Sequence, residues 1–301
     1  MLSQDCNEIK DKAFYSCTKL KRITIPSFIT KIGDCAFEMC KSLAYVSIPS
    51  SVTSIGSRTF YECSSLLQLT IPPSVTEMKD QICSFCRSLR QVKIPSSVKS
   101  IGHSCFCGCS SLTDVTLSSS LEKIEKSTFK ECSSLEKIII PSSVTSICSY
   151  AFMTCKSLLK IEIPSSVTFI DDHAFSSCTN LTEISILSSS LKKIEDYTFS
   201  NCQKLSKILI PQSVTVIGKF AFNSCQSLSE VSLPSSLKRI EQCAFYDCSS
   251  LKEVEIPFSI SFVGASVFSS CKSLAKLTIP SRIPTRQLGC PSQTNIIQLN
   301  A

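Results

Sequence analysis

Tryptophan is absent from the 301 residues, histidine occurs only twice, and glycine numbers seven. So little glycine leaves no phosphate-cradling loop of the Walker or dinucleotide type, and two histidines are too few for a histidine-based metal centre. No run approaches the eighteen or more consecutive apolar residues of a membrane span, because Ser, Lys or Glu interrupts each apolar cluster, so no membrane insertion is expected. Residues 1–12 lack a basic start followed by an apolar stretch, which speaks against a cleaved signal peptide. The net charge of +7 is unclustered and gives no nucleic-acid footprint. At 43% hydrophobic residues the chain is nonetheless apolar enough to bury a sizeable core.

Against this scarcity stand 20 cysteines, and they reveal the organisation. A Cys followed three residues later by Leu occurs twelve times, from Cys17-Leu20 and Cys40-Leu43 to Cys271-Leu274, at spacings of 23 residues with one of 24. The full unit, seen at residues 36–56, is A-F-x-x-C-x-S-L-x-x-[IV]-x-I-P-S-S-[VL]-T-x-I-G, and the period runs from Ile9 to about Ile283. Within a unit, Leu43, Val46 and Ile48 fit one short strand, and Pro49, lacking an N–H, ends its pairing. Val52 and Ile55 then point inward from the opposite wall, while Ala36-Phe37 packs its ring beneath a short helical or irregular turn. Stacked coils bury what one coil cannot, so the expected fold is a β-rich solenoid of twelve 23-residue coils with a parallel sheet on its concave face. The prolines missing near Ser118 and Leu187, and the extra residue in the second case, predict a bulge between Ile184 and Leu191. The solenoid is expected to span 1–286, with 287–301 a degenerate last coil or tail, Arg286 in an inward Ile slot and Ile297 and Leu299 alternating inward.

The unit resembles the BspA-like, or Treponema pallidum type, subclass of leucine-rich repeats over about nine tenths of the chain. That resemblance implies a repeat solenoid like those of bacterial, trichomonad and amoebic surface antigens or adhesins. It also implies a protein ligand, such as a host or extracellular-matrix protein, and a cell-surface address. The missing signal peptide implies a cytoplasmic address and an intracellular interaction scaffold instead, and both readings stay open.

Residues that could carry chemistry are few. The twelve repeat cysteines read as a ladder of small buried residues, although stacked coils would also permit vertical disulfides. Cys6, Cys35, Cys83, Cys105, Cys107, Cys148, Cys243 and Cys290 stand outside the ladder. Cys83, Cys86, Cys105, Cys107 and Cys109 superficially offer zinc ligands, but all except Cys107 occupy repeat slots. His103 and His173 are expected on turns, and Asp171-Asp172-His173 has no nucleophile placed beside it. Asn180-Leu181-Thr182 is a glycosylation triplet whose Leu belongs to the core. No enzyme motif, cofactor or metal site is expected. A polysaccharide-cleaving β-helix would need clustered acids and bases, and an ice-binding threonine ladder at Thr30, Thr53 and Thr76 is interrupted by Lys99 and Glu122. What remains is the outward strand face. Ile139, Leu159 and Leu209 put apolar side chains where other coils are polar, and Lys160, Glu183, Lys207 and Glu230 surround them with alternating charge. These seven residues are the expected partner-binding surface, and open coil ends would allow self-association.

Overall fold

The computed structural model describes residues 7–300, so Cys6 lies outside the described residues. The chain divides into two compact units, Met1–Val144 and Thr145–Ala301. Both are built from the same parallel coil of about 23 residues, about 13 turns of β-solenoid in all, and the described residues form no helix.

The typical coil has three walls. The first carries the expected strand, Tyr45–Ser47 in the coil of residues 34–56, paired in parallel so that Ile23 meets Val46. The second is a two-residue strand, Ser54–Ile55, which pairs with Lys31–Ile32. A two-residue strand has no period to read, which is why the sequence pattern showed only that Ile55 points inward. The third wall, residues 34–39, is neither strand nor helix. Its N–H groups alternate between the next coil and the local turn: Cys35 donates to Ser57 O at 2.8 Å, and Glu38 donates back to Cys35 O at 3.1 Å. Alternation of this kind needs left-handed residues, and Cys35 (φ 55°) and Met39 (φ 60°) supply them in this coil, as Gly108 (φ 72°) does in its own.

Stacking of identical slots makes the core. In the first unit Phe14, Phe37 and Phe60 stack with centroids 5.1 and 5.6 Å apart. In the second, Phe152, Phe175, Phe199, Phe222, Phe245 and Phe268 form one rail with spacings of 5.2 to 5.9 Å. Cys83 breaks the rail in the first unit, and the neighbouring Ala slot compensates by holding Ile82, both residues being fully buried. Gly56 follows from close approach: a β-carbon there would lie 2.6 Å from the Asp34 amide nitrogen of the preceding coil. The same Asp34 accepts the Ser57 N–H at 2.8 Å.

Polar slots are also repeated for a reason. The second serine of Pro-Ser-Ser donates to the preceding coil, Ser51 to Ile29 O at 2.7 Å and Ser143 to Leu121 O at 2.7 Å. Where proline is missing, Ser118 takes over that bond and donates to Val98 O at 2.6 Å. The ladder cysteines do likewise, with Cys63 Sγ donating to Phe37 O at 3.1 Å and Cys225 Sγ to Phe199 O at 3.2 Å. They are therefore hydrogen-bond donors as well as small core residues. Cys17 departs from the expected burial: it lies exposed in the first coil, whereas Cys40 and every later ladder cysteine is buried.

The structure refines three further expectations. At the inserted residue Lys160–Ile163 and Glu183–Ile186 pair one to one, so the irregularity expected between Ile184 and Leu191 falls outside the paired strand. The extra residue is shed after the strand, where Leu187 turns 53% exposed to solvent and Ser188 becomes buried. Arg286 is exposed, and Leu288 is the residue that fills the core near it. Asn295–Leu299 pairs in parallel with Lys276–Pro280, so the ladder continues past Pro280 to Leu299. Of the two residues expected inward on this strand, Ile297 is half-buried and Leu299 is 38% exposed. Among the described residues no further strand pairs with this one to cover it.

Candidate functional site

The thiol cluster is committed to the coil backbone. Cys86 donates to Phe60 O at 3.0 Å and Cys109 to Cys83 O at 3.1 Å. Burial raises both thiols well above their ordinary values, and among the described residues no three Cys, His, Asp or Glu side chains converge on a metal position. In the Asp171-Asp172-His173 triplet, Asp171 accepts from Ser149 Oγ at 2.5 Å and from the Asp172 amide at 2.8 Å. Asn180 is half-buried, and Thr182 Oγ1 donates to Leu159 O at 3.0 Å, an inter-coil bond like those of the other polar slots.

His173 belongs to a feature the sequence reading missed. Its turn position, left-handed at φ 56°, is occupied by aromatic residues in four successive coils. The rings of Tyr150, His173, Tyr197 and Phe220 stack at 4.9, 4.5 and 4.9 Å, making a second aromatic rail. His173 Nδ1 is buried without a hydrogen-bond partner among the described residues. Burial holds the imidazole below its ordinary value, and the charges of Asp172 and Asp196 oppose this without reversing it. The folded protein therefore prefers neutral His173. Its contribution is present above the unfolded value of about 6.5 and is lost as pH falls below it. His173→Phe, which removes an unsatisfied nitrogen and continues the rail, is expected to stabilise the fold by about 1 kcal/mol. It should also flatten the dependence of the urea midpoint on pH below about 6.5; an unchanged midpoint and slope would count against this account.

The seven outward candidates divide between the units. Ile139, 85% exposed, belongs to the first unit, at a position where no strand forms. The other six lie in the second. Leu159 is 48% exposed immediately before the strand Lys160–Ile163, and Leu209, 70% exposed, closes the strand Lys207–Leu209. Lys160 pairs with Glu183 at 2.7 Å, and this neighbour lowers the Glu183 carboxyl below its ordinary value. Both side chains are well exposed, so the pair contributes little to stability.

The expected continuous sheet is three sheets in this unit: Lys160–Ile163 with Glu183–Ile186, Lys207–Leu209 with Glu230–Ser232, and Glu253–Glu255 with Lys276–Pro280 and Asn295–Leu299. The first break falls at the inserted residue. At the second, Glu230 and Glu253 occupy the same slot in successive coils, and like charges side by side disfavour close pairing. Around the central pair of strands lies a groove of about 800 Å³. Glu183, Lys207, Leu209 and Glu230 line it, as do Val231, Leu233 and Glu255, while Leu159 and Lys160 lie outside its lining. Val231 and Leu233 are half-buried here, although the corresponding Val254 and Ile256 of the next coil are 3% exposed. An apolar floor ringed by charge can hold a partner side chain.

A family model described as a BspA type leucine-rich repeat region, six copies long, matches residues 1–112, 80–191 and 184–296. The chain belongs to the BspA-type leucine-rich repeat family. It is 29% identical to a leucine-rich repeat protein from Bacteroides ovatus ATCC 8483, covering 98% of this chain and 88% of that one with a TM-score of 0.66. A leucine rich cell surface protein from Faecalibacterium prausnitzii A2-165 is 28% identical, covering 97% and 82% at a TM-score of 0.58. A leucine-rich repeat protein from Eubacterium ventriosum ATCC 27560, 24% identical over 95% and 88% at a TM-score of 0.65, supports the fold alone. No curated protein matches the chain. As a BspA-type repeat protein, it is of a kind consistent with protein interaction, and no helix among the described residues is long and apolar enough to cross a membrane.

Proposed function

We propose that this chain is a non-catalytic protein-binding module that serves as a surface antigen or adhesin, with a host or extracellular-matrix protein as its ligand. The observation that carries the binding role is Leu209, 70% exposed beside a groove with a half-buried apolar floor. A large apolar side chain held in water at a rim of alternating charge costs solubility unless a partner covers it. The F. prausnitzii relative, a leucine rich cell surface protein, supports the surface role. The contact surface of the second unit comprises Leu159, Lys160, Glu183, Lys207, Leu209 and Glu230, and Ile139 offers the first unit an apolar contact of its own.

The test is capture of host or matrix proteins by the purified chain, followed by titration of the captured protein. Leu209→Ser should weaken binding by about 1–3 kcal/mol with an unchanged melting temperature. Lys160→Glu should act on association rate and salt dependence. Equal binding by Leu209→Ser would move the site elsewhere. A second reading, an intracellular scaffold, draws on the free state of all nineteen described cysteines, which suits a reducing compartment. Antibody labelling of cells with and without permeabilisation separates the two.

A further inference from the structure

The groove of the second unit has a charge opposite to that of the chain as a whole. Three carboxylates, Glu183, Glu230 and Glu255, line it against one ammonium, Lys207, on a protein of net charge +7. Lys160 engages Glu183 at 2.7 Å, whereas Glu230 and Glu255 have no ion pair within 4.0 Å among the described residues. The same carboxylates flank the break at which the Glu230–Ser232 strand stops pairing with the next one, so Val231 and Leu233 line the groove beside carboxylates that form no ion pair among the described residues. Those two features together describe the ligand: a segment that offers an apolar side chain to the floor and a cation to the carboxylates.

We infer that the groove binds a basic-apolar peptide segment of a partner protein, with its apolar side chain against Leu209, Val231 and Leu233 and its cation between Glu230 and Glu255. This rests on the reading of the second unit as a binding surface and gives the partner its chemistry. Lys207, the register partner of Glu230, leaves the groove a net excess of carboxylates over ammonium groups. An acidic segment would meet two unpaired carboxylates and is disfavoured by the same geometry.

The experiment uses the full chain and three labelled octapeptides, one alternating valine and lysine, one valine and glutamate, and one serine and lysine, titrated by fluorescence anisotropy. The valine–lysine peptide should bind at least about tenfold more tightly than either of the others, and its affinity should fall as salt rises. Leu209→Ser should weaken it about fivefold or more, and the double variant Glu230→Gln with Glu255→Gln should remove its advantage over the glutamate peptide. All three side chains sit at the surface of the groove, and circular dichroism checks that each variant keeps the wild-type spectrum. A preference for the glutamate peptide, or a lysine preference that survives in the double glutamine variant, overturns the inferred chemistry but leaves the groove as a binding surface. Equal affinity of wild type and Leu209→Ser for all three peptides overturns the groove itself, and with it this placement of the proposed site.

Discussion

Phe199→Ala is expected to destabilise the fold by about 3–5 kcal/mol, the usual consequence of removing a fully buried ring whose space cannot collapse. Phe199 is completely buried, with Phe175 and Phe222 stacked at 5.7 and 5.5 Å on its two faces. The loss extends beyond one ring, because Cys225 donates its thiol to the Phe199 carbonyl at 3.2 Å and the coil must hold that carbonyl in place. In a solenoid each coil is stabilised chiefly by its neighbours, so a defect in the middle of a rail weakens two interfaces together. Urea unfolding followed by circular dichroism should therefore show a lower midpoint and a broader transition than the wild type. Leu209→Ser, on the outward face, is the matched control and should stay within about 0.5 kcal/mol. A cost below about 1 kcal/mol for Phe199→Ala would mean that the rail is not the core.

Most of the coil was legible from the period. The inward positions of Leu43, Val52, Ile55 and Phe37 follow from their phase in the repeat, and all four are at most 1% exposed. The strand at Tyr45–Ser47 followed from alternation and from Pro49 after it. Features set by the meeting of two coils were not legible. Tyr150, His173, Tyr197 and Phe220 share no motif, and only the left-handed turn position that they hold in common aligns their rings. The thiol donors looked like small apolar residues because the carbonyls they serve lie about one coil away in sequence. Around the candidate site, Leu209 and its charged neighbours could be picked out from slot identity alone. Val231 and Leu233 could not, since both occupy ordinary inward slots and are half-buried beside the point where the ladder's pairing is interrupted. Glu255 joins the groove for the same reason.

Among the described cysteines, thiol labelling of the native protein at pH 8 should separate Cys17 from the buried ladder by orders of magnitude. The reactive species is the thiolate, so reactivity depends on both exposure and the ease of ionisation. Cys17 is exposed and should react first, followed by the half-exposed Cys35, Cys148 and Cys290. Cys35 is slowed further, because burial and then the nearby Glu38 push its thiol up to about 11. Burial pushes the ladder thiols Cys202 and Cys271 up to about 12, and Cys178, Cys225 and Cys248 well above the ordinary value. At about 12 the thiolate fraction is roughly a thousandfold below that of a free cysteine, before any steric protection is counted. Each ladder thiol also gives up its bond to a carbonyl before it can ionise, so labelling requires the coils to separate. The ladder should then react at the rate of unfolding, and Phe199→Ala should accelerate Cys202 and Cys225 more than Cys40 because the opening is local to its rail. A bulky maleimide with mass-spectrometric mapping gives the order, and denaturation without reductant should make nearly all thiols available. Ladder cysteines that label as fast as Cys17 would contradict the packed core. Thiols that stay unreactive after denaturation would mean disulfide staples between coils, and would favour the secreted adhesin over the intracellular scaffold.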